Sequence, residues 1–120
     1  MTREFIILPE FDKLWKSFGL KDDDLQALQE FLCLQPDYGD VIEATGGIRK
    51  LRWALRGSGK RGGIRILYVD FVSYEKTYLI TAYKKNVKLN LTKREKQEIR
   101  KLIYQLRDEL GKNTEDRRKK

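Results

Sequence analysis

The sequence contains no histidine, a single cysteine and no apolar run approaching the roughly 18–20 residues needed to cross a membrane. Without histidine, serine–histidine and cysteine–histidine nucleophile pairs are excluded, together with the usual zinc and haem ligand sets. Cys33 cannot form an internal disulfide, which fits a reducing compartment. The N-terminal stretch MTREFIILPEF is too short and too acidic for a signal peptide. We therefore expect a cytoplasmic protein without a membrane anchor.

A nucleotide-binding fingerprint is also missing. The segment GSGKRGG contains glycines and a lysine, but it lies between two strand-like segments, whereas a phosphate-binding loop leads into a helix. The carboxylates of the first half of the chain fall at helix starts and on predicted surfaces, and no pair of them suggests acid–base chemistry. We expect neither a cofactor nor a bound metal ion.

Acidic residues are absent from one long stretch of the chain, between Glu43 and Asp70. Residues 46–65 within it carry seven Lys or Arg side chains. The whole chain has a net charge of +8, but residues 1–43 contribute −6 and residues 44–120 contribute +14. Such concentrated positive charge calls for a polyanionic partner, and nucleic acid is the commonest one.

Strand-like patterns occur in four segments, residues 3–8, 48–55, 63–71 and 77–83. The second alternates, with Lys50 and Arg52 on one face, and the third is apolar on both sides, as in the centre of a sheet. Because the connections between the last three are short, we expect them to form an antiparallel meander.

Three helices are predicted from apolar residues at helical spacing. The first starts at Pro9 and ends at Gly19, and the second ends at Pro36. The third starts with capping-box spacing in TKRE and ends at Gly111. The predicted fold class is therefore α+β, with the order βααβββα and the helices packed on one face of an antiparallel sheet. We expect one domain over residues 1–111 and a charged, disordered tail over residues 112–120.

Lysine, arginine and tyrosine side chains are sufficient to cleave RNA, because the RNA supplies its own nucleophile, the 2′-hydroxyl. Guanidinium groups bind phosphate oxygens through paired hydrogen bonds, and a lysine crowded by other cations has a lowered pKa and can act as a base. Lys50 and Arg52 project from one strand face, Arg65 lies on the next strand, and Lys84 and Lys85 follow the last strand. We expect these side chains to converge around one open face of the sheet.

At these residues the sequence resembles the HigB-type branch of the RelE/ParE toxin superfamily, the toxins of type II toxin–antitoxin systems. The segments that carry the resemblance are GGIRKLRWALRGSGKRGGIRILY, YLITAYKKN and NLTKREKQEIRKLI, and it extends over roughly residues 5–110. It implies a RelE-like fold and a metal-independent endoribonuclease, an mRNA interferase that cuts mRNA in the ribosomal A site through the RNA 2′-hydroxyl and so inhibits translation.

The resemblance also implies roles for individual residues. Lys50 and Arg52 occupy the strand positions of the family's paired basic residues, and Arg65 matches a central-strand arginine that holds the scissile phosphate. Lys85 stands where RelE has an arginine, and Tyr83 replaces the catalytic tyrosine, which has no direct match. The residues expected to bind RNA or the ribosome are Arg49, Arg56, Lys60, Arg61, Lys84 and Lys88.

The implied partners are the ribosome with its ribosomal RNA, mRNA, and a helix-turn-helix (HigA-like) antitoxin that neutralises the toxin. Operon DNA would be contacted through the antitoxin alone.

Two other functions stay open on the sequence. One is a ParE-like inhibitor of DNA gyrase, which the dense basic set between Arg49 and Arg65 disfavours. The other is a non-catalytic RNA-binding module that uses Trp53, Tyr68 and Tyr83 for stacking. For Trp53 we favour a place in the core, because it alternates with other apolar residues.

Overall fold

A mixed β-sheet carries three α-helices in the computed structural model, which describes residues 2–54, 63–85 and 90–118, with side chains up to Lys112. The elements are β1 (Glu4–Ile7), α1 (Pro9–Ser17), α2 (Asp22–Leu34), β2 (Asp40–Val41), β3 (Arg49–Trp53), β4 (Ile64–Phe71), β5 (Lys76–Lys84) and α3 (Lys93–Arg118). The predicted α+β class and the order βααβββα are confirmed, with β2 as an additional two-residue strand.

The strands are arranged in the order β1-β5-β4-β3-β2. Strands β3, β4 and β5 form the predicted antiparallel meander. The sheet is not wholly antiparallel, however, because β1 pairs with β5 in parallel. Local sequence pattern cannot specify that pairing, since β1 and β5 are far apart in the chain. Strand β2 pairs with the edge of β3 and is too short to produce an alternating pattern.

Helices cover both faces of the sheet, so the prediction that they share one face is wrong. Helices α1 and α2 pack on one side and α3 packs on the other. Strand β4 explains why: nearly all of its residues are buried, and successive side chains point to opposite faces, so both faces need an apolar cover. The first core contains Phe11, Trp15, Leu28, Leu32, Leu51, Ile64, Ile66, Tyr68, Leu79 and Ala82. The second contains Ile48, Leu67, Val69, Phe71, Tyr78, Ile80, Ile103 and Leu110.

The helix starts follow the local sequence. Pro9 occupies the first turn of α1, where its missing N–H is not needed. The predicted capping box opens α3: the Thr92 N–H donates to Glu95 Oε1 at 2.9 Å, and the Glu95 N–H donates to Thr92 Oγ1 at 3.1 Å. Helix α3 does not end at Gly111 but continues to Arg118, because a helical glycine is unfavourable but tolerated. None of the helices in the described ranges is both long and apolar enough to span a bilayer.

A buried polar network ties the parallel edge strand to the meander. Arg3 Nε donates to Asp70 Oδ1 at 2.9 Å, and the exposed fractions of the two side chains are 1% and 6%. Thr77 Oγ1 donates to the same carboxylate at 2.8 Å. Since Arg3 precedes β1, Asp70 lies on β4 and Thr77 lies on β5, this one carboxylate joins three neighbouring strands.

We predict that Asp70→Ala destabilises the protein by about 3 kcal/mol, because it leaves the Arg3 guanidinium buried without its partner. The measurement is the free energy of unfolding from urea denaturation. Asp12→Ala is the matched control, because Asp12 forms an exposed ion pair with Lys16 within one helix and should change stability little. Equal losses in the two variants would contradict the role given to the buried carboxylate.

Candidate functional site

A groove lined by positive side chains lies at the end of the sheet that α3 leaves uncovered. It has a volume of about 670 Å³ and we call it the cationic groove. Its lining consists of Tyr38, Gly39, Asp40, Lys50, Leu51, Arg52, Arg65, Lys85 and Asn90. Four of the five residues that we predicted to be catalytic therefore meet in one cavity, drawn from β3, from β4 and from the residue after β5.

Arg65 is the most buried cation of the groove, with 8% of its surface exposed. It lies opposite Arg52 on β3 and opposite Tyr83 on β5. Burial and then the neighbouring Arg52 charge lower the pKa of the Arg65 guanidinium, which still carries its charge at neutral pH. Within the described part of the chain, no carboxylate forms an ion pair with Arg65. A buried cation without a counter-ion is costly, and a bound anion would relieve that cost.

Tyr83 lies beside Arg65 on the α3 side of the sheet, and its side chain is directed towards α3. Its hydroxyl is buried without a hydrogen-bond partner among the residues described. Burial raises the pKa of Tyr83, and Glu95 raises it further, while Arg65 lowers it. The phenol is therefore neutral at physiological pH. It lines a second cavity, of about 330 Å³, with Leu91, Glu95, Ile99 and Leu102 of the α3 region, and does not line the cationic groove.

The residues predicted to bind RNA or the ribosome are not gathered in the groove. Arg49 donates through Nη1 to the carbonyls of Asp37, at 3.1 Å, and Gly39, at 2.6 Å. Lys84 reaches the α1 side of the sheet, where its Nζ lies 5.7 Å from the centre of the Phe18 ring. The other four, Arg56, Lys60, Arg61 and Lys88, lie outside the described residues.

Comparison with protein families gives a match over residues 9–115 to the model described as the RelE toxin of the RelE/RelB toxin–antitoxin system. The chain belongs to the RelE toxin family. Its structure is similar to that of the E. coli toxin RelE, solved as an arginine-to-alanine double mutant in the free state, with a TM-score of 0.51. The sequences are 16% identical, and the match covers 72% of this chain and 87% of the E. coli chain. That similarity supports the RelE fold.

The wall of this toxin's groove includes the turn of residues 35–39, between α2 and β2, whose residues sequence analysis did not assign to the site. Tyr68, in the centre of β4, holds this turn: its hydroxyl donates to the Pro36 carbonyl and accepts the Gly39 N–H, both at 2.9 Å. Gly39 has no room for a side chain, because a Cβ would lie 3.0 Å from the Lys50 carbonyl oxygen and from the Tyr68 ring. The local signal in the sequence was the proline and glycine that bracket DY.

The aromatic residues considered for RNA stacking are placed in the core. Tyr68 is fully buried, and Trp53 packs against the α1–α2 core, as we favoured from its alternation. Tyr38 instead lines the groove and has 60% of its surface exposed. Asp40, the cross-strand partner of Lys50, adds a carboxylate to a lining that is otherwise cationic or neutral in the described part of the chain.

We predict that Tyr68→Phe costs roughly 1–3 kcal/mol of stability, because it leaves the buried Gly39 N–H and the Pro36 carbonyl without their partner. Thermal and urea denaturation measure the loss. Tyr78→Phe is the control, since no hydrogen bond from its hydroxyl to a described residue would be lost. If both variants were as stable as the unmodified protein, the Tyr68 hydroxyl would not be holding the turn.

Proposed function

We propose that this toxin is a HigB-like mRNA interferase that cleaves mRNA in the A site of the translating ribosome. The observation that carries the proposal is the buried guanidinium of Arg65, which lies beside Arg52 in the cationic groove and has no ion-pair partner among the described residues. RNA presents phosphates at regular spacing, and a bound phosphate supplies the negative charge that the described neighbours of Arg65 do not. Membership of the RelE toxin family supports an RNase activity.

The two arginines have the chemistry needed at the scissile phosphate. In RNA cleavage through the 2′-hydroxyl, the 2′-oxygen attacks phosphorus, the bond to the 5′-oxygen breaks, and negative charge builds up on the non-bridging oxygens. Guanidinium groups stabilise that charge through paired, charge-assisted hydrogen bonds. We assign phosphate binding to Arg65, which the sheet holds rigidly, and to Arg52, its exposed cross-strand neighbour.

Proton transfer requires a group that accepts the 2′-hydroxyl proton and one that protonates the leaving 5′-oxygen. The groove offers the amines of Lys50 and Lys85 and the carboxylate of Asp40. We assign proton transfer to this set, with Lys50 and Lys85 as the principal candidates. Tyr83 lines the neighbouring cavity and not the groove, so we do not assign it the role of base.

The proposed partners follow from the same chemistry. Ribosomal RNA is a polyanion and would bind the basic surface around the groove, while mRNA would enter the groove itself. A helix-turn-helix, HigA-like antitoxin would neutralise the toxin by covering this surface, and its own DNA-binding part would contact the operon. Such a toxin works in the cytoplasm, where ribosomes are found.

We predict that Arg65→Ala lowers the rate of A-site cleavage by about 100- to 1,000-fold, as expected for removal of one group that stabilises transition-state charge. Arg65→Lys should recover part of the loss, because it restores the charge but not the paired hydrogen bonds. Cleavage is measured by primer extension on programmed ribosomes whose A site is empty. Lys16→Ala, which removes an exposed charge on α1 outside the groove lining, should cleave normally.

Each outcome of this experiment has a definite reading. A folded Arg65→Ala protein that cleaves at the normal rate would remove Arg65 from the site. If the unmodified, folded protein did not cut mRNA with or without ribosomes, the interferase proposal would fail. A gyrase supercoiling assay and an RNA-binding assay would then separate the ParE-like function from the non-catalytic one.

A further inference from the structure

We propose that Tyr38 is a substrate-binding residue whose ring stacks on a base of the RNA next to the phosphate held by Arg65. This inference rests on the proposed function. Tyr38 lines the same cavity as Arg52 and Arg65, and within the described lining it is the one aromatic side chain. Every base has a π-face, so an exposed aromatic ring beside a cationic track suits single-stranded RNA.

The exposure of Tyr38 is unusual among the aromatic residues near the groove. Its exposed fraction is 60%, whereas Tyr68 is fully buried. Exposing a large ring has no benefit for the stability of the isolated domain. This ring borders the cationic groove, so the site offers an aromatic surface next to positive charge. A nucleotide fits both, because it has a flat base and a negatively charged phosphate.

The Tyr38 ring is supported from the protein side by other aromatic rings. It packs edge-to-face on Phe31, with ring centres 5.0 Å apart and an interplanar angle of 81°. Phe31 packs in turn on Trp53, with centres 5.9 Å apart. Such contacts stabilise one orientation of the ring, and a pre-oriented ring loses less conformational entropy when a base stacks on it.

The backbone around Tyr38 is fixed as well. The residues on either side, Asp37 and Gly39, each have their carbonyl bound by Nη1 of Arg49. The Gly39 N–H is bound by the hydroxyl of Tyr68. Because Arg49 lies on β3 and Tyr68 on β4, the turn is attached to the two strands that also carry Arg52 and Arg65. The ring and the two guanidiniums therefore share one rigid support.

A protein-docking patch is the competing use of this surface, because Leu34 and Val41 are also exposed, at 83% and 54%. Neither of these side chains lines the cationic groove, whereas Tyr38 does. The cations around the ring, Lys50, Arg52, Arg65 and Lys85, favour RNA over an apolar protein segment. Leu34→Ser separates the two uses, because it alters the patch and leaves the groove intact.

The first experiment measures cleavage of mRNA on programmed ribosomes by Tyr38→Phe and Tyr38→Leu. The phenylalanine variant should behave like the unmodified protein, because it keeps the ring. The leucine variant should lose roughly tenfold or more in kcat/KM, within the range measured for single base–aromatic stacks, mainly through a higher KM. Tyr104→Leu, which removes an exposed tyrosine on α3 outside the groove, is the matched control and should cleave normally.

The second experiment detects stacking directly. An mRNA that is 2′-O-methylated against cleavage carries 2-aminopurine at each position of the A-site codon in turn, and fluorescence is read as toxin is added to the ribosome. The unmodified protein and the Tyr38→Phe variant should quench at one position or more, and Tyr38→Leu should not. Quenching that survives in Tyr38→Leu, or that no protein produces, would overturn the assignment of Tyr38.

The outcomes distinguish this inference from the function on which it rests. If the unmodified protein cleaves and Tyr38→Leu cleaves equally well, the Tyr38 assignment is wrong while the interferase function stands. If the unmodified protein does not cleave, both the interferase function and the Tyr38 assignment are wrong. If Tyr38→Leu and Leu34→Ser cleave normally but both lose binding to a co-expressed antitoxin, the surface is a protein-docking patch and the RNA assignment is overturned.

Discussion

The burial of β4 on both faces is the constraint from which the rest of the molecule follows. Its side chains contribute to two separate apolar cores, so α1 and α2 must cover one face and α3 the other. Helix α3 covers its face from Leu67 towards Phe71 and leaves the beginning of the strand open. Arg65 lies in that uncovered part, on the α3 side of the same strand. The cationic groove thus lies where the apolar core between the sheet and α3 ends.

The groove concentrates positive charge at a cost to the folded state. Arg65 and Arg52 are cross-strand neighbours, and like charges directly opposite each other in a sheet are destabilising. The rule that buried charges are paired holds for Arg3 and Asp70. A local departure from that rule, held in place by a well-packed strand, is the pattern expected where a protein binds an anion. The packed strand β4 therefore holds the cations of the cationic groove in place for a bound anion.

Local signals in the sequence predicted the elements well, and their relation in space less well. The capping box of Thr92 and Glu95 and the apolar pattern of β4 are local, and both are confirmed. The apolar residues on both sides of β4 already require cover on both faces of the sheet, so the prediction that all helices share one face was wrong. Alternation along β3 likewise places Arg49 on the face opposite Lys50 and Arg52. The parallel β1–β5 pair had no local signal at all.

The aromatic residues show why site residues are harder to predict than elements. Tyr68 and Tyr38 are both tyrosines near the basic segment, but a tyrosine in a central strand is buried, whereas one in a turn is free to face solvent. The two are nevertheless coupled, because the hydroxyl of Tyr68 binds both ends of the short segment that contains Tyr38. A core residue thus sets the geometry of the groove wall. Stability and substrate positioning therefore depend on the same phenol.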